Sequence, residues 1–328
     1  MSTTEDKICI KLYSLLREII RDISSEGLLL SGGVDSSIIA SIQKPKFAFT
    51  VSLEGKGSDL IYGSQIAEKY GSKHIQVKIA YEELTIIEEK IIQLFETFDP
   101  IFVRNSSVIF AGVQKASQLG ISNLLTGDGG DELFAGYNYL KRYYDDPKKL
   151  DIELKRLWEI MHFPSKKIGN YFNINVETPF LNEIFTDFAK SLDVCFKIKE
   201  YNGKIWGKYI LRKCLDKYSS MKTQSWREKE AQEEGSGFSL IGKYFNQVFN
   251  DEEFASESKS INEKENVKIR NKEHLFYYNT FRKYYAAPKE SNCNRKCPEC
   301  NGCFEWSGKF CRLCGAFPVD PVLQKSTL

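Results

Sequence analysis

The sequence predicts an α/β protein with a doubly wound parallel sheet, a mostly helical second part and a small cysteine-rich tail. Three observations support this class. Short apolar segments alternate with helical segments over residues 26–127, two glycine-rich turns each follow an apolar segment, and six of the nine cysteines lie between Cys293 and Cys314. Strands that alternate with helices form parallel sheets. A chain of 328 residues has room for one large domain of this kind and an appendage.

The order of the elements follows from the hydrophobic pattern. Residues 1–24 mix charged and apolar residues in the manner of an amphipathic helix, and Gly71 stands where a helix over 58–71 would end in a left-handed residue. We predict further helices at 34–44, 81–98 and 106–120, and strands at 26–33, 46–53, 74–80 and 121–127.

Beyond residue 138 the pattern becomes mostly helical. Residues 251–273 are highly charged and poor in apolar residues, which predicts an exposed linker or a mobile loop. The division that we expect is a helix over 1–24, a main domain over 25–288 and a tail over 289–328. The helices predicted in this part are 149–161, 179–192, 207–218 and 272–285.

Composition limits the classes of function. A formal net charge of +2 gives no whole-chain argument for nucleic-acid binding. No apolar run approaches the roughly 18–20 residues needed to cross a bilayer. The N-terminus carries charges within its apolar positions, unlike a signal peptide. We therefore expect a soluble, cytoplasmic protein without a membrane partner.

The first glycine-rich turn, in the segment LLLSGGVDSSIIAS over 28–41, has the composition of a phosphate-binding loop. Glycines let backbone N–H groups approach an anion, and the following helix adds the positive end of its dipole. Asp35 fits beside phosphate only with Mg²⁺ between them. The turn lacks the G-x-x-x-x-G-K-[ST] pattern of a Walker-type loop. The nucleotide-binding residues predicted in this loop are Leu30, Ser31, Gly32, Gly33, Asp35, Ser36 and Ser37.

Two motifs resemble a known family. SGGVDSS resembles the SGGxDS pyrophosphate-binding loop of the N-type ATP pyrophosphatases. LLTGDGGDELFAGYNYL, over 124–140, resembles the G-[DE]-G-x-DE-x-F-x-GY signature of the C-terminal domain of asparagine synthetases. The resemblance covers about residues 25–288 and implies an adenine nucleotide alpha hydrolase-like fold. It also implies an enzyme that adenylates a substrate oxygen and cleaves ATP to AMP and pyrophosphate.

The resemblance assigns roles to residues of the second motif. Asp131 matches a Mg²⁺-binding carboxylate that would act with Asp35. Asp128 matches an acid near the reacting acyl group, which would handle the proton of incoming ammonia. Two backbone positions match contacts to the adenylate and one position on the second strand matches a contact to adenine. These three residues are Thr126, Gly127 and Val51.

The segment WREKEAQEEGSGFS, over 226–239, resembles the family's W-R-x-K-E-x-x-x-x-G-x-G segment. The resemblance places Lys229 on the catalytic lysine, where a cation would stabilise charge that builds on the α-phosphate. Two glycines, Gly235 and Gly237, indicate a segment that closes over ATP. Three further residues fall on positions that face the acceptor, with a surface salt bridge as the alternative for the arginine. They are Asp99, Arg104 and Ser106.

Two departures from the family concern the substrates. Family members usually carry an N-terminal glutaminase domain, which this sequence does not show ahead of the first loop. We therefore expect free ammonia, ammonia from a separate glutaminase, or another nucleophile. Aspartate is the acceptor that the resemblance implies, but the segment before and including PFLN is altered, so another small carboxylate or a carbonyl compound is the alternative. The altered positions are Lys166, Lys167, Asn175, Glu177 and Asn182.

The tail has the spacing of a zinc ribbon. Cys297-x2-Cys300 and Cys311-x2-Cys314 are separated by ten residues. Each pair would supply two thiolates to a tetrahedral Zn²⁺, and the metal would fold a tail too short to form its own core. Cys293 and Cys303 are left over, as replacement ligands or free thiols. An iron–sulfur site and a tail without metal are the other interpretations.

The leading functional prediction is an amide ligase that uses ATP and Mg²⁺, by resemblance an asparagine synthetase. A second prediction is a tRNA- or protein-modifying ATP pyrophosphatase whose ribbon binds its substrate, because basic and aromatic residues are interleaved ahead of the tail. A third is a nucleotide-binding subunit without catalysis. The presence of Lys229, Asp35 and Asp131 argues against that third interpretation.

Overall fold

The computed structural model describes residues 3–304 and 308–323. The chain forms two compact units, each assembled from two stretches of sequence. The first unit comprises residues 1–78 and 111–236, and the second comprises residues 79–110 and 237–328. The division that we predicted along the chain, at residues 24 and 288, stays a prediction.

Helices alternate with short strands along the described part of the chain. In chain order the helices are α1 Thr4–Arg21, α2 Val34–Gln43, α3 Asp59–Tyr70, α4 Tyr81–Phe95, α5 Pro100–Gln118, α6 Gly130–Leu133, α7 Pro147–Ile160, α8 Ser165–Tyr171, α9 Glu183–Ser191, α10 Tyr209–Ser219, α11 Lys222–Ser225, α12 Gln232–Gly235, α13 Ile241–Val248, α14 Asp251–Glu265 and α15 Lys272–Tyr284. The strands are β1 Gly27–Leu29, β2 Phe47–Leu53, β3 Lys73–Ile79, β4 Asn123–Leu125, β5 Asn175–Glu177, β6 Ile198–Tyr201, β7 Lys204–Gly207, β8 Arg295–Lys296 and β9 Val322–Leu323. None of the described helices is long and apolar enough to cross a membrane.

The central sheet has five strands in the order β3-β2-β1-β4-β5. Its pairs are parallel, with Gly27 of β1 beside Phe47 of β2 and Leu124 of β4. The chain order reverses at β1, because its two neighbours are β2 and β4. The turns after β1 and β4 therefore meet at the carboxyl edge of the sheet, where open α/β sheets bind ligands. The predicted parallel α/β fold is confirmed.

Helices cover both faces of this sheet. Leu28 and Leu30 face a core shared with α1, α2 and α10. Leu29 faces the other side, where Gly112 of α5 lies so close that an added Cβ would be 2.6 Å from the leucine side chain. Alternate residues of a strand point to opposite faces, so this pattern is that of a doubly wound sheet.

The first helix belongs to this core. The Thr3 side chain and Asp6 form a capping box at the start of α1. Leu12, Leu16 and Ile20 recur every four residues and are buried. A disulfide joins Cys9 of α1 to Cys214 of α10. No sequence pattern predicted this pairing, because the two cysteines are 205 residues apart.

Several elements differ from the sequence-based expectation. The prediction of a linker over 251–273 was wrong, because α14 occupies much of it. That helix is stabilised locally: the Asn250 side chain accepts from Glu252 N at 2.8 Å, and acidic residues fill the first turn. Strand β5 and the β6–β7 hairpin were missed in a region expected to be helical. The three residues of β5 are too few to show a periodic pattern, and their pairing with β4 defines the strand.

The second compact unit contains a buried cluster of ionisable groups. The Tyr277 hydroxyl lies 2.5 Å from Glu88 Oε1 and 3.0 Å from Glu273 Oε1. Arg104 donates to both carboxylate oxygens of Glu273, at 2.8 and 2.9 Å. Arg104 thus forms a salt bridge that is largely buried and not the surface salt bridge that we gave as the alternative, and its acceptor role stays a prediction. One arginine faces two acids, and burial raises the pKa of Glu88 well above its usual range.

We predict that Glu88→Gln stabilises the protein at neutral and alkaline pH. The pKa of Glu88 is raised in the folded state, so its contribution is full below the pKa of the unfolded chain and is lost as pH rises. Glutamine stays neutral at every pH. The thermal midpoint of the variant should exceed that of the wild type by a margin that grows from about pH 5 to about pH 8.

Glu83→Gln, an exposed position on the same helix, is the matched control and should leave the midpoint unchanged. A Glu88→Gln variant that is less stable than the wild type at both pH values would show that the folded protein holds Glu88 ionised.

Candidate active site

The first loop is built by the end of β1 and the start of α2. Gly32 has a φ of +70°, and an added Cβ would lie 2.5 Å from Tyr62 of α3. Gly33 caps α2, and its N–H donates to Ser31 Oγ at 3.2 Å. The Ser36 hydroxyl donates to Gly33 O at 3.2 Å. Ser37 is fully buried, and Leu30 N continues the sheet by donating to Phe49 O. The loop therefore presents small hydroxyl residues at a helix N-terminus, as an anion cradle requires.

The second loop lies against the first. It begins beyond β4, where Thr126 N donates to Glu177 O of β5 at 3.0 Å. A Cβ on Gly127 would lie 3.0 Å from Asp35 Cβ, and one on Gly130 would lie 2.3 Å from Asp35 Cγ. Only glycine permits this approach. The topology thus brings Asp35 of the first loop to the backbone of the second.

A buried lysine joins the acidic residues of the two loops. Lys208 Nζ contacts Asp35 Oδ2 and lies 2.8 Å from Asp131 Oδ1. Lys229 Nζ lies 3.3 Å from Asp131 Oδ2 and also donates to Glu230 O at 2.8 Å. The predicted residues Asp35, Asp131 and Lys229 are therefore assembled in one cluster. Lys208 completes it and was not predicted.

The charges of this cluster are linked. Burial would raise the pKa of Asp131, but Lys208 and Lys229 outweigh it and hold that pKa at about 2. Burial raises the pKa of Asp35 despite Lys208. The two acids in turn raise the pKa of Lys208 against its burial, so the lysine stays charged. Asp35 Oδ1 is buried without a hydrogen-bond partner in the described part of the chain. Asp131 Oδ1 also lacks a hydrogen bond there, although Lys208 Nζ lies 2.8 Å away. Two carboxylates that each carry such an oxygen are ligands that fit Mg²⁺.

Asp128 occupies a separate, partly buried position on the second loop. The hydroxyl of Ser165, at the start of α8, donates to Asp128 Oδ2. Burial raises the pKa of Asp128, and the hydrogen bond from Ser165 opposes that change. Ser165 itself is fully buried. A carboxyl group whose pKa is raised in this way is suited to accept or return a proton.

The remaining predicted residues lie within the fold. Val51 is buried on β2, where a Cβ on Gly112 would lie 3.3 Å from its side chain. Thr50, which precedes Val51 on this strand, hydrogen-bonds through Oγ1 to His74 Nε2 at 2.9 Å. Asp99 accepts from Ile101 N at 3.1 Å in the second compact unit. Their functional roles stay predictions.

Two buried arginines support the cluster and were also missed. Arg212 Nε donates to Gly207 O at 2.9 Å, next to Lys208, and its Nη1 donates to Ser225 O and Arg227 O. Arg227 Nη1 donates to Ser31 O of the first loop at 3.0 Å. No short-range pattern reveals these carbonyl partners, because they lie in other segments of the folded chain. A weak signal existed in GKYILRK over 207–213, where three basic residues stand beside the apolar residues of a helix start.

The four predicted cysteine ligands form one cluster. The sulfur atoms of Cys297, Cys300, Cys311 and Cys314 all lie within 4.8 Å of one another, and the four side chains are buried. Gly302 O accepts from Cys297 N at 2.9 Å and Ala316 O accepts from Cys311 N at 2.9 Å, so each pair sits in a tight turn. This set and spacing fit a tetrahedral thiolate site for Zn²⁺.

The other two tail cysteines are not ligands. Cys293 and Cys303 form a disulfide, so the expectation of a replacement ligand or a free thiol was wrong. An isolated bridge between Lys296 and Cys303 brings the two chain segments together. The alternative iron–sulfur spacing that included Cys293 therefore does not match the observed cluster.

The cysteine cluster is attached to other parts of the second compact unit. Phe98 N donates to Leu313 O at 2.8 Å, between α4 and α5. Lys268 N donates to Glu299 O at 2.8 Å, ahead of α15. A Cβ on Gly315 would lie 2.2 Å from Asp99 Oδ1. A metal bound by both cysteine pairs would therefore connect the α4–α5 corner to the segment before α15.

The fold and the two loops define a parallel α/β protein with glycine-rich loops at the point where the order of the strands reverses. Residues 20–161 match the family model described as asparagine synthase. The chain is 31% identical over 252 residues to asparagine synthetase [glutamine-hydrolyzing] 1 of Arabidopsis thaliana, covering 70% of this chain and 42% of that protein. It is 28% identical over 296 residues to asparagine synthetase B [glutamine-hydrolyzing] of Escherichia coli K12, covering 81% of this chain and 51% of that protein.

Residues 20–161 therefore form a domain of the asparagine synthase family. This confirms the resemblance drawn from the two glycine-rich loops. The chain spans about half the length of the curated relatives that it matches, 42% of the Arabidopsis protein and 51% of the Escherichia coli protein.

We predict that Lys208→Met destabilises the protein at neutral pH. The change leaves Asp35 and Asp131 buried with Lys229 as their remaining cation, and removing one partner of a buried ion pair costs about 3–5 kcal/mol. Addition of Mg²⁺, or acidification, should restore part of the lost thermal stability, because either change neutralises the acids.

Lys222→Met, which removes an exposed lysine of the same compact unit, is the control. Equal thermal midpoints for the Lys208 and Lys222 variants, with no response to Mg²⁺, would contradict a charge-balancing role for Lys208.

Proposed function

We propose that this protein is an ATP-dependent amide ligase that forms AMP and pyrophosphate. One observation carries the proposal: Asp35 of the first loop and Asp131 of the second share Lys208, and Lys229 lies beside Asp131. Acids paired with cations at the switch point of a parallel sheet suit a polyphosphate and its metal. The family domain over residues 20–161 supports the same chemistry.

In this proposal the first loop holds the phosphates that become pyrophosphate. The backbone of Gly32 and Gly33 and the hydroxyls of Ser31 and Ser36 supply donors there. Asp35 and Asp131 would hold Mg²⁺, which supplies positive charge against the phosphate oxygens. By resemblance, the adenosine group would lie against Leu30, Val51, Thr126 and Gly127.

The reaction divides into two transfers. A substrate carboxylate oxygen forms a bond to the α-phosphorus, the bond from that phosphorus to the bridging oxygen breaks, and pyrophosphate leaves. Lys229 stabilises the negative charge on the α-phosphate during this step. Ammonia then forms the C–N bond to the acyl carbon, and AMP leaves with its phosphate oxygen. Asp128 is placed to accept the proton that the nitrogen loses.

The acceptor is a small carboxylate, with aspartate as the first candidate from the relatives. Two of the altered positions do not form an obvious carboxylate site. Asn175 Nδ2 donates to Glu177 Oε1 at 2.9 Å and to Asn123 Oδ1 at 3.2 Å. Both side chains are thus bound to neighbours on the sheet, so the substrate must be found by experiment. Ammonia, free or from a separate glutaminase, is the proposed nitrogen donor.

We also infer that the four-cysteine cluster binds a structural Zn²⁺ ion. The support is the buried set of four thiols within 4.8 Å of one another and the two tight turns that present them. Thiolate ligands favour zinc over magnesium, and four protein ligands leave no open position for catalysis.

The proposed reaction predicts pyrophosphate release from ATP and Mg²⁺ in the presence of the correct acceptor. The panel should contain aspartate, glutamate, other small carboxylates and bulk tRNA, each with and without ammonium. Lys229→Ala should lower the release rate by at least about 100-fold, because a cation at the transferring phosphate is lost. The fold and the metal content should be retained.

Lys222→Ala is the matched control. Asparagine formed from aspartate only with ammonium would identify an ammonia-dependent asparagine synthetase. Release with tRNA alone would instead support the RNA-modifying alternative. Wild-type activity in the Lys229 variant would overturn the proposed mechanism.

The metal proposal predicts one zinc ion per chain, lost in Cys300→Ser. Zinc should be measured by elemental analysis and by release to a colorimetric chelator, together with the thermal midpoint. Cys195→Ser removes an exposed free cysteine and should retain zinc and stability. Iron in place of zinc, or wild-type zinc in Cys300→Ser, would contradict the assignment.

A further inference from the structure

Arg227 lies at a junction of three segments in the first compact unit. Its Nη2 lies 2.8 Å from Asp59 Oδ1 and donates to Ser58 Oγ at 2.6 Å, both at the start of α3. Its Nη1 donates to Ser31 O, the carbonyl that opens the first loop. Two residues further along the chain stands Lys229. A single guanidinium therefore connects α3, the first loop and the lysine-bearing segment.

The junction is closely packed. The side chains of Arg227 and Asp59 are 7% and 8% exposed, and the guanidinium lies 4.1 Å from the centre of the Tyr62 ring. Two glycines also pack against the residues of this junction. A Cβ on Gly32 would meet Tyr62 at 2.5 Å, and a Cβ on Gly235 would meet Asp59 Oδ1 at 2.4 Å. Because these residues are closely packed, replacement of the arginine would shift the residues that contact it.

The same segment is held from its other side. Arg212 Nη1 donates to Arg227 O at 2.7 Å, and Ser236 O accepts from Leu53 N at the end of β2 at 2.9 Å. Lys229 thus lies in a stretch fixed before and after it. Its ammonium lies 3.3 Å from Asp131 Oδ2 and donates to the carbonyl of the adjacent Glu230 at 2.8 Å, and its side chain is 23% exposed. The position of Lys229 depends on its backbone, and the backbone depends on these anchors.

We propose that Arg227, through its pairing with Asp59, is a positioning residue that sets Lys229 relative to the first loop. The inference rests on the proposed adenylation function. Arginine is required because its planar guanidinium group donates to a carbonyl and to a carboxylate in two fixed directions. The ammonium group of lysine does not reproduce this geometry. Because Arg227 binds the loop through a backbone carbonyl, the loop keeps its own hydrogen bonds among Ser31, Gly33 and Ser36 when the arginine is changed.

The proposal predicts a specific split in the kinetics of Arg227→Lys. The rate constant kcat for pyrophosphate release should fall at least about tenfold, because Lys229 no longer meets the transferring phosphate correctly. The KM for ATP should change by less than about threefold, since ground-state contacts of the loop persist. Asp59→Asn should show the same split. The double variant should be no worse than Arg227→Lys alone, because the arginine change already removes the pairing with Asp59.

Hydrogen exchange supplies a readout that does not need activity. Amides of residues 228–236 should exchange faster in Arg227→Lys, with a smaller change over residues 31–37. Arg156→Lys is the matched control, an exposed arginine paired with Glu153 in the same unit. Rates are normalised to the folded fraction, and Mg²⁺–ATP binding is measured by calorimetry.

The outcomes separate the two proposals. A wild-type protein that binds no Mg²⁺–ATP would overturn the proposed function, while the exchange experiment would still test the arginine. Wild-type kcat and exchange in Arg227→Lys would overturn the positioning role. A lower thermal midpoint with unchanged kcat and unchanged exchange at 228–236 would overturn it too, because the arginine would then contribute stability alone.

Discussion

The site depends on the close approach of two loops at the reversal point of the parallel sheet. The glycines of the second loop allow the backbone to lie within van der Waals contact of Asp35. That approach places a second acid, Asp131, in the same buried region. Two carboxylates in a region of low dielectric constant require a cation, and Lys208 provides it. Lys208 itself has a left-handed backbone, with a φ of +55°, at the start of α10.

A layer of arginines supports the lysines. Arg212 and Arg227 are buried. Arg212 donates to backbone carbonyls that precede Lys208 and Lys229, and Arg227 binds both Ser31 O and the Asp59 carboxylate. The two arginines thus fix the main chain from which the lysines project. In the proposed adenylation, this would hold the lysines against the charge that builds on the phosphate.

The cysteine cluster is held by hydrogen bonds to other parts of the second compact unit. Its two cysteine pairs contact the α4–α5 corner and the segment before α15, both within the second compact unit. A metal at this point would close a loop between distant parts of the sequence and so limit the unfolded chain. The buried group of Glu88, Tyr277 and Glu273 lies in the same unit, where burial raises the pKa of Glu88.

The parallel α/β class, the two glycine-rich loops with their acids and the four-cysteine set could be predicted from the sequence, and the family resemblance added Lys229. Hydrophobic period, turn chemistry and fixed spacing are local properties of consecutive residues. The folded structure was needed to show that Lys208 balances Asp35 and Asp131, that Arg227 joins three segments, and that Cys293 pairs with Cys303. The structure was also needed to reveal strand β5 and helix α14. Some of these features depend on contacts between residues that are far apart along the chain. The others depend on helix capping or strand pairing, which can outweigh local composition. A short stretch of sequence does not show such partners.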